Sequence, residues 1–304
     1  MDDQRMTGAV VVGVVDAEQQ RLVVRRAAEE AIRRGTDLRI LHAVEWPLPP
    51  GSTESAGKAA TNVEHAERVI APFAEAINHQ FPELEVVPDL VSGSPAPALI
   101  DRSSEASVIV VGHRGTGGFP RLPLGSVSLQ VATHSACPVL VVRPTKSAEP
   151  QENRVVVGVD VEDIPSGLMK FALDAAESRH AALEVVYANT RPELLAAGPT
   201  GPLLATHEAA SSSAHEALEK VLSAYRPHHP SLNIRARVER RRPAHSLVDA
   251  SRHASLQIVG SHGRTGLKRL LLGSVSGEVL HTATCPVMVV PTPQQGSARL
   301  SSNH

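Results

Sequence analysis

Aromatic residues are nearly missing from this 304-residue chain: Phe, Tyr and Trp together make up 2% of it. So few rings cannot build a base-stacking platform for single-stranded nucleic acid or an aromatic-rich protein interface. Cysteine occurs only twice, as Cys137 and Cys285. That is too few for a disulfide scaffold, and neither stands in a zinc-knuckle spacing. No apolar run reaches the ~18 residues of a membrane-spanning helix. The opening Met1-Asp2-Asp3-Gln4-Arg5 does not read as a secretory leader, so a cytoplasmic location is the expectation. Net charge is close to nothing, −2 from 30 basic and 32 acidic residues. A globally basic nucleic-acid binder is therefore disfavoured. What remains is an aliphatic composition, 42% hydrophobic and 20% charged. It suits globular domains of roughly 150 residues each, about two of them here.

The chain contains itself twice. Residues 111–142 return as residues 259–290 with 17 identities in 32 positions, and both copies end in Cys-Pro-Val, at Cys137 and at Cys285. Upstream, Pro95-Ala96 matches Pro243-Ala244, and Val11-Val12-Gly13-Val14 matches Val156-Val157-Gly158-Val159. The period is far longer than the ~20–45 residues of a solenoid repeat, and each copy is long enough to fold as a domain. The polar, proline-containing stretch 147–153 between the copies has linker composition. Domains over 1–146 and 154–292 follow, with a tail over 293–304 that should fray.

Within the first copy, short β-branched runs alternate with longer amphipathic stretches. Strands are expected at Val10–Val15, Leu38–Val44, Leu84–Val91, Val108–Val111 and Val139–Val142. Helices are expected at Leu22–Arg34 (stopped by Gly35), Val63–Phe81, Ser94–Glu105 and Ser126–Ser135. The second copy repeats the scheme. Strands without polar alternation, separated by helices, predict a parallel sheet covered on both faces. The fold class is therefore α/β: two tandem doubly wound, Rossmann-like domains with five parallel strands each. Ligands of such folds sit at the carboxyl ends of the strands.

The chemistry-bearing feature is the loop after the fourth strand. It runs Gly-x2-Gly-x9-Gly-Ser in both copies: Gly112, Gly115, Gly125, Ser126, then Gly260, Gly263, Gly273, Ser274. Glycines let a backbone approach a ligand closely, and consecutive N–H groups in such a turn can cradle an anion. The Gly-Ser pair opens a helix, whose free N–H groups and dipole favour phosphate. The loop is neither a Walker A motif nor a dinucleotide Gly-x-Gly-x-x-Gly. A tight strand-to-helix connection with no ligand is the competing reading, and equal spacing in two copies weighs against it.

With this loop behind a parallel-strand unit, the chain resembles the universal stress protein family, tandem two-domain type, in its ATP-binding branch. The resemblance covers nearly everything before the tail. It implies that Gly112 and Gly115, or Gly260 and Gly263, wrap the ribose and inner phosphates. Gly125-Ser126, or Gly273-Ser274, would hold the outer phosphates, with Val127 and Ser128, or Val275 and Ser276, behind them. Ala43 and Ala188 would meet the adenine through their backbone, and an Asp after the first strand would touch the nucleoside. Gly13, Val111 and Val259 complete the implied site. It further implies ATP as cofactor, with Mg, pairing through the last strands, a homodimer, and a regulatory protein partner.

The copies differ in ways that matter. The acid after the first strand is Asp160 in the second copy, whereas the first has Val15 there and Asp16 one residue late. The first copy also carries Pro120 and Pro123 in its loop, where the second has Lys268 and Leu271, and proline removes N–H donors. Residues 228–275 hold nine basic residues against two acidic, while the matching 80–127 hold three against five. The basic stretch reads as a solvated face, as added phosphate affinity, or as a nucleic-acid patch; the last lacks interleaved aromatics. These differences make the second copy the stronger nucleotide site.

Fifteen histidines form no metal-binding spacing, and no nucleophile motif accompanies the loop. The sequence names no catalytic residue and no metal ligand. The expected function is a nucleotide-dependent regulator of stress response or growth, with at most weak ATP hydrolysis. A slow ATPase of the same fold and a ligand-free interaction module are the alternatives.

Overall fold

The computed structural model describes residues 8–15, 20–44, 55–114, 124–144, 153–189, 203–262 and 271–292, with side chains from 67 and 212 onward in the two long helices. The chain divides into two units, Met1–Pro144 and Thr145–His304.

Unit 1 runs β1 (Val10–Gly13), α1 (Gln20–Arg34), β2 (Leu38–Val44), α2 (Ser55–Gln80), β3 (Val86–Ser92), α3 (Pro95–Arg102), β4 (Val108–Gly112), α4 (Ser126–His134) and β5 (Val139–Val142). Its strands are all parallel, in the order β3-β2-β1-β4-β5. The order reverses between β1 and β4, which opens a crevice at their carboxyl ends. Val10, Val12, Ile40, Val108, Ile109 and Val110 are fully buried. Residues facing both ways are thus covered, as the non-alternating runs predict. Helices α1 and α2 pack together on the sheet, and so do α3 and α4.

Unit 2 repeats this order with β6 (Arg154–Val159), α5 (Ser166–Glu177), β7 (Ala182–Ala188), α6 (Leu203–Ser223), β8 (Ile234–Glu239), α7 (Pro243–Ser251), β9 (Leu256–Gly260), α8 (Ser274–Thr282) and β10 (Val287–Val290). Its parallel order is β8-β7-β6-β9-β10.

The expected boundaries move at several ends. Strand β1 stops at Gly13 rather than Val15, and α3 stops at Arg102 rather than Glu105. Helix α2 begins at Ser55, well before Val63. Its first two turns lack the apolar stripe by which a helix is read from sequence. Strand β3 covers Val86–Ser92, shifted from Leu84–Val91. Cys137 and Cys285 are buried and unpaired.

Two glycines set how closely helix and sheet approach. A Cβ on Gly13 would stand 2.8 Å from Leu99 Cδ1, and one on Gly158 would stand 2.7 Å from Leu247 Cδ1. Both leucines are buried in the helix after the third strand. The bare glycine therefore lets α3 close on β1 and α7 on β6.

Candidate functional site

The site is built where the fourth strand of each unit ends on glycine. In unit 1, the His113 N–H donates to the Val142 carbonyl at 2.8 Å, and the Gly125 N–H donates to the His113 carbonyl at 2.7 Å. The Ser128 hydroxyl donates to the Gly112 carbonyl at 2.5 Å. These bonds bring the start of α4 against the end of β4. Unit 2 makes the same set: Ser261 N–H to Val290 carbonyl at 2.8 Å, Gly273 N–H to Ser261 carbonyl at 2.9 Å, and Ser276 hydroxyl to Gly260 carbonyl at 2.5 Å.

The clamp leaves a defined set of donors. Gly125 and Gly273 are the N-caps, both in extended conformation, and neither helix receives a side-chain cap. The first helical bonds run from Leu129 N–H to Gly125 carbonyl at 3.0 Å and from Gly277 N–H to Gly273 carbonyl at 2.8 Å. The N–H groups of Ser126, Val127 and Ser128, and of Ser274, Val275 and Ser276, precede these bonds and have no helical acceptor. Ser126 and Ser274 are exposed, so their hydroxyls add donors at the positive end of the helix dipole. Such a combination of free N–H groups and helix dipole is suited to an anion.

The other expected residues differ in burial and in hydrogen bonding. Ser128 and Ser276 are only 4% and 7% exposed and turn their hydroxyls inward to the clamp. Only their N–H groups remain for a ligand. Val111 and Val259 are core residues, 3% and 2% exposed. Ala43 and Ala188 stand half-buried at the carboxyl ends of β2 and β7, level with Val91 and Glu239. Asp160 follows β6, where its carbonyl accepts from Asp163 N–H at 3.0 Å and its Oδ1 from Glu162 N–H at 3.2 Å. In unit 1 the strand ends at Gly13, and Val15 stands where unit 2 has Asp160. Asp16, Gly115 and Gly263 lie outside the described residues, as do Pro120, Pro123 and Lys268.

Two polar groups beside these glycines escape motif reading. Gln20, the first residue of α1, is 6% exposed. Its Nε2 lies 3.5 Å from where a Gly112 Cβ would stand, and its Oε1 is buried without a hydrogen-bond partner. The one sequence signal is that Gln20 falls on the helix stripe of Val23, Val24, Ala27, Ala28 and Ala31, all buried. In unit 2, the point over Gly260 meets Thr292 Cγ2 at 2.9 Å. Thr292 donates its N–H to Ser261 Oγ at 3.1 Å and its Oγ1 accepts the His262 N–H at 3.2 Å. Ser261 Oγ also lies 3.0 Å from His262 Nδ1. Unit 1 has His113, Arg114 and Pro144 at those three places. Burial pushes the His113 pKa down to about 4, with Arg143 and Arg114 adding repulsion.

Among the described residues of the basic stretch of unit 2, four arginines pair with carboxylates of the same unit. Arg237 contacts Glu184 at 3.2 Å and also bonds Glu239. Arg241 meets Asp249 at 2.7 Å, Arg252 meets Asp249 at 3.3 Å, and Arg242 meets Glu278 at 3.5 Å. Arg264, Lys268 and Arg269 lie outside the described residues. Among the described residues, no group of three or more His, Cys, Asp or Glu stands together as a metal site, and no helix is long and apolar enough to cross a membrane.

Comparison with known proteins supplies the wider context. The model of the universal stress protein family matches the chain twice, over residues 6–143 and 152–291. A universal stress protein of Mycolicibacterium smegmatis is 31% identical over 288 residues, 92% of this chain and 96% of that protein. One from Mycobacterium tuberculosis strain H37Rv is 31% identical over 297 residues, 95% of this chain and 99% of that protein. Among solved structures, a universal stress protein from Archaeoglobus fulgidus superposes with a TM-score of 0.65 at 17% identity, covering 95% of this chain and 98% of that one.

Proposed function

The chain belongs to the universal stress protein family, and on that premise we propose that it binds ATP, or another adenine nucleotide, and acts as a nucleotide-dependent regulator. One observation supports this above the rest. The same Gly-Ser helix start is fixed by the same three hydrogen bonds at the end of the fourth strand in both units. It presents free N–H groups where a phosphate would lie.

In this reading the outer phosphates rest on Gly125, Ser126 and Val127 in unit 1 and on Gly273, Ser274 and Val275 in unit 2, with Mg accompanying them. Gly112, Gly115, Gly260 and Gly263 face the inner phosphates and ribose. Ala43 and Ala188 meet the adenine, and Asp160 meets the nucleoside. Unit 2 is the stronger site, because its acid follows the strand directly. Occupancy regulates only if bound and free chains differ in affinity for a partner. That partner is a protein of the cytoplasm, engaged by a homodimer of this chain, with domains over 1–146 and 154–292.

The test is direct. The purified protein is denatured and its extract assayed for nucleotide. Retained adenine nucleotide is the expected outcome; its absence, with no binding on titration, overturns the reading. Gly273→Glu places a carboxylate at the outer-phosphate position and should reduce retention more than Gly125→Glu. A Cβ at Gly125 meets no atom closer than 3.4 Å, and Gly125 has an ordinary negative φ, so the latter substitution is sterically mild. Equal losses would overturn the ranking of the two sites.

A further inference from the structure

Five arginines crowd residues 235–242, while the matching residues 87–94 of unit 1 hold no basic residue. The first two of them stand on β8, the outer strand of unit 2. Among the described residues β8 pairs only with β7, so one side of its backbone carries no ladder. The bonds on the paired side show which groups face away. The Asn233 and Glu239 carbonyls accept from the Leu183 and Asn189 N–H groups, at 2.9 and 3.0 Å. Backbone groups alternate in direction along a strand. Ile234, Ala236 and Val238 therefore point their N–H and C=O groups away from β7. In keeping with this, the Ile234 carbonyl accepts from Arg226 Nη2 at 3.3 Å. Among the described residues, Ala236 and Val238 have no such partner on that side.

Unit 1 treats the same edge differently. Its outer strand β3 bonds β2 through the Glu85 carbonyl, which accepts from Leu38 N–H at 2.9 Å, and through Gly93 N–H, which donates to the Val44 carbonyl at 2.9 Å. By the same alternation Val86, Pro88 and Leu90 face outward. Pro88 is exposed and has no N–H to offer. A proline at an outward position blocks strand addition without harming the sheet. The matching residue of unit 2 is Ala236, which keeps its N–H. Charge guards β8 instead. Arg235 and Arg237 share one face of the strand. Arg237 meets Glu184 and Glu239, whereas Arg235 is exposed and meets no carboxylate among the described residues. That charge selects the occupant. A second copy, paired antiparallel about Arg235, Ala236 or Arg237, would set arginine opposite arginine, which is destabilising. An acidic strand meets the same positions favourably.

We propose that the outer edge of β8 is an interaction surface for a partner protein: an extended segment with acidic residues at alternate positions adds there as a further strand. Its backbone bonds Ala236 and Val238, and its carboxylates lie beside Arg235. Unit 1, with Pro88 on its edge, does not take one. Ala236, Val238 and Arg235 are not residues of the proposed nucleotide site, so the two readings stand or fall separately.

The experiment uses the full-length chain and two short labelled peptides, one alternating Glu with Val and one alternating Lys with Val, titrated by fluorescence anisotropy. The Glu peptide should bind and the Lys peptide should not. Ala236→Pro copies the residue of unit 1. It should weaken binding of the Glu peptide about three- to tenfold, the range of one neutral hydrogen bond, and leave the melting temperature unchanged. Arg235→Glu, at an exposed position, should weaken it by up to about fivefold, the range of a cross-strand charge pair. If Ala236→Pro does not fold, the Glu peptide with every amide N-methylated is titrated against the unaltered chain and should bind no better than the Lys peptide. No binding of the Glu peptide up to about 1 mM, equal binding of the Lys peptide, or indifference to either substitution or to N-methylation would overturn the proposal. So would a dimer that Ala236→Pro splits in sedimentation, since the edge would then hold a second copy.

Discussion

Ser128 and Ser276 each stand in the second position after the Gly-Ser pair, and each gives its hydroxyl proton to the glycine that ends the fourth strand, at 2.5 Å in both units. Their hydroxyls hold the helix start, which leaves only their N–H groups to face a ligand. Ser128→Ala should therefore cost about 1 kcal/mol of stability, the net worth of one such bond, measurable by urea unfolding. Ser126→Ala, at an exposed position, should leave unfolding nearly unchanged. His113 provides a pH dependence. Its pKa falls from an ordinary 6.5 to about 4, through burial first and then Arg143 and Arg114. Between those values the unfolded chain binds the proton and the folded chain does not, so stability falls as pH drops from about 6.5 to about 4. His113→Ser, which installs the residue of unit 2, should flatten that slope in denaturant melts across this window. The same slope in both proteins would contradict the assignment. These roles were only partly legible beforehand. The glycines and serines were readable as a spacing, but which serine faces outward depends on helix phase against a strand end distant in sequence.

At the scale of elements, the two copies solve one problem with different residues. Helix α1 ends at Arg34 and Gly35 follows with φ +64°, while Thr36 N–H bonds the Ala31 carbonyl at 3.1 Å. After α5 the chain turns at His180, the matching position, with φ +49° and Ala181 N–H to Ala176 carbonyl at 2.9 Å. A Cβ in the left-handed region costs about 1 kcal/mol, so His180→Gly should stabilise the protein by about that amount in thermal or denaturant unfolding. Destabilisation would imply that His180 makes contacts that outweigh its backbone strain. The corner before the helix after the third strand shows the opposite trade. Gly93 has φ +121°, whereas Arg241, at the matching place, does not have a positive φ. Alternating strands and helices were legible because periodicity is local. The start of α2 at Ser55 was not, since those turns carry no apolar stripe.

At the scale of the whole chain, the near-zero net charge conceals an uneven distribution, and the tertiary contacts then soften it. Arg237, Arg241, Arg242 and Arg252 each face a carboxylate of their own unit. The chain should therefore bind duplex DNA no better than the non-specific range, roughly 10⁻⁴–10⁻⁶ M at physiological salt; tighter binding in a fluorescence titration would show that the remaining basic residues act together.

The sequence by itself determined that one α/β unit is used twice, that its strands are parallel and buried, and that a glycine-rich loop stands at the carboxyl end of the fourth. Those properties live in composition, period and repetition, which are local or self-referential. Folding alone brings the hydroxyl of the second serine to a strand-end carbonyl, sets Arg237, Arg241, Arg242 and Arg252 against carboxylates, and buries Gln20 over Gly112. Each depends on a partner brought close by folding, and no spacing along the chain encodes which carbonyl, carboxylate or empty point in space a side chain will meet.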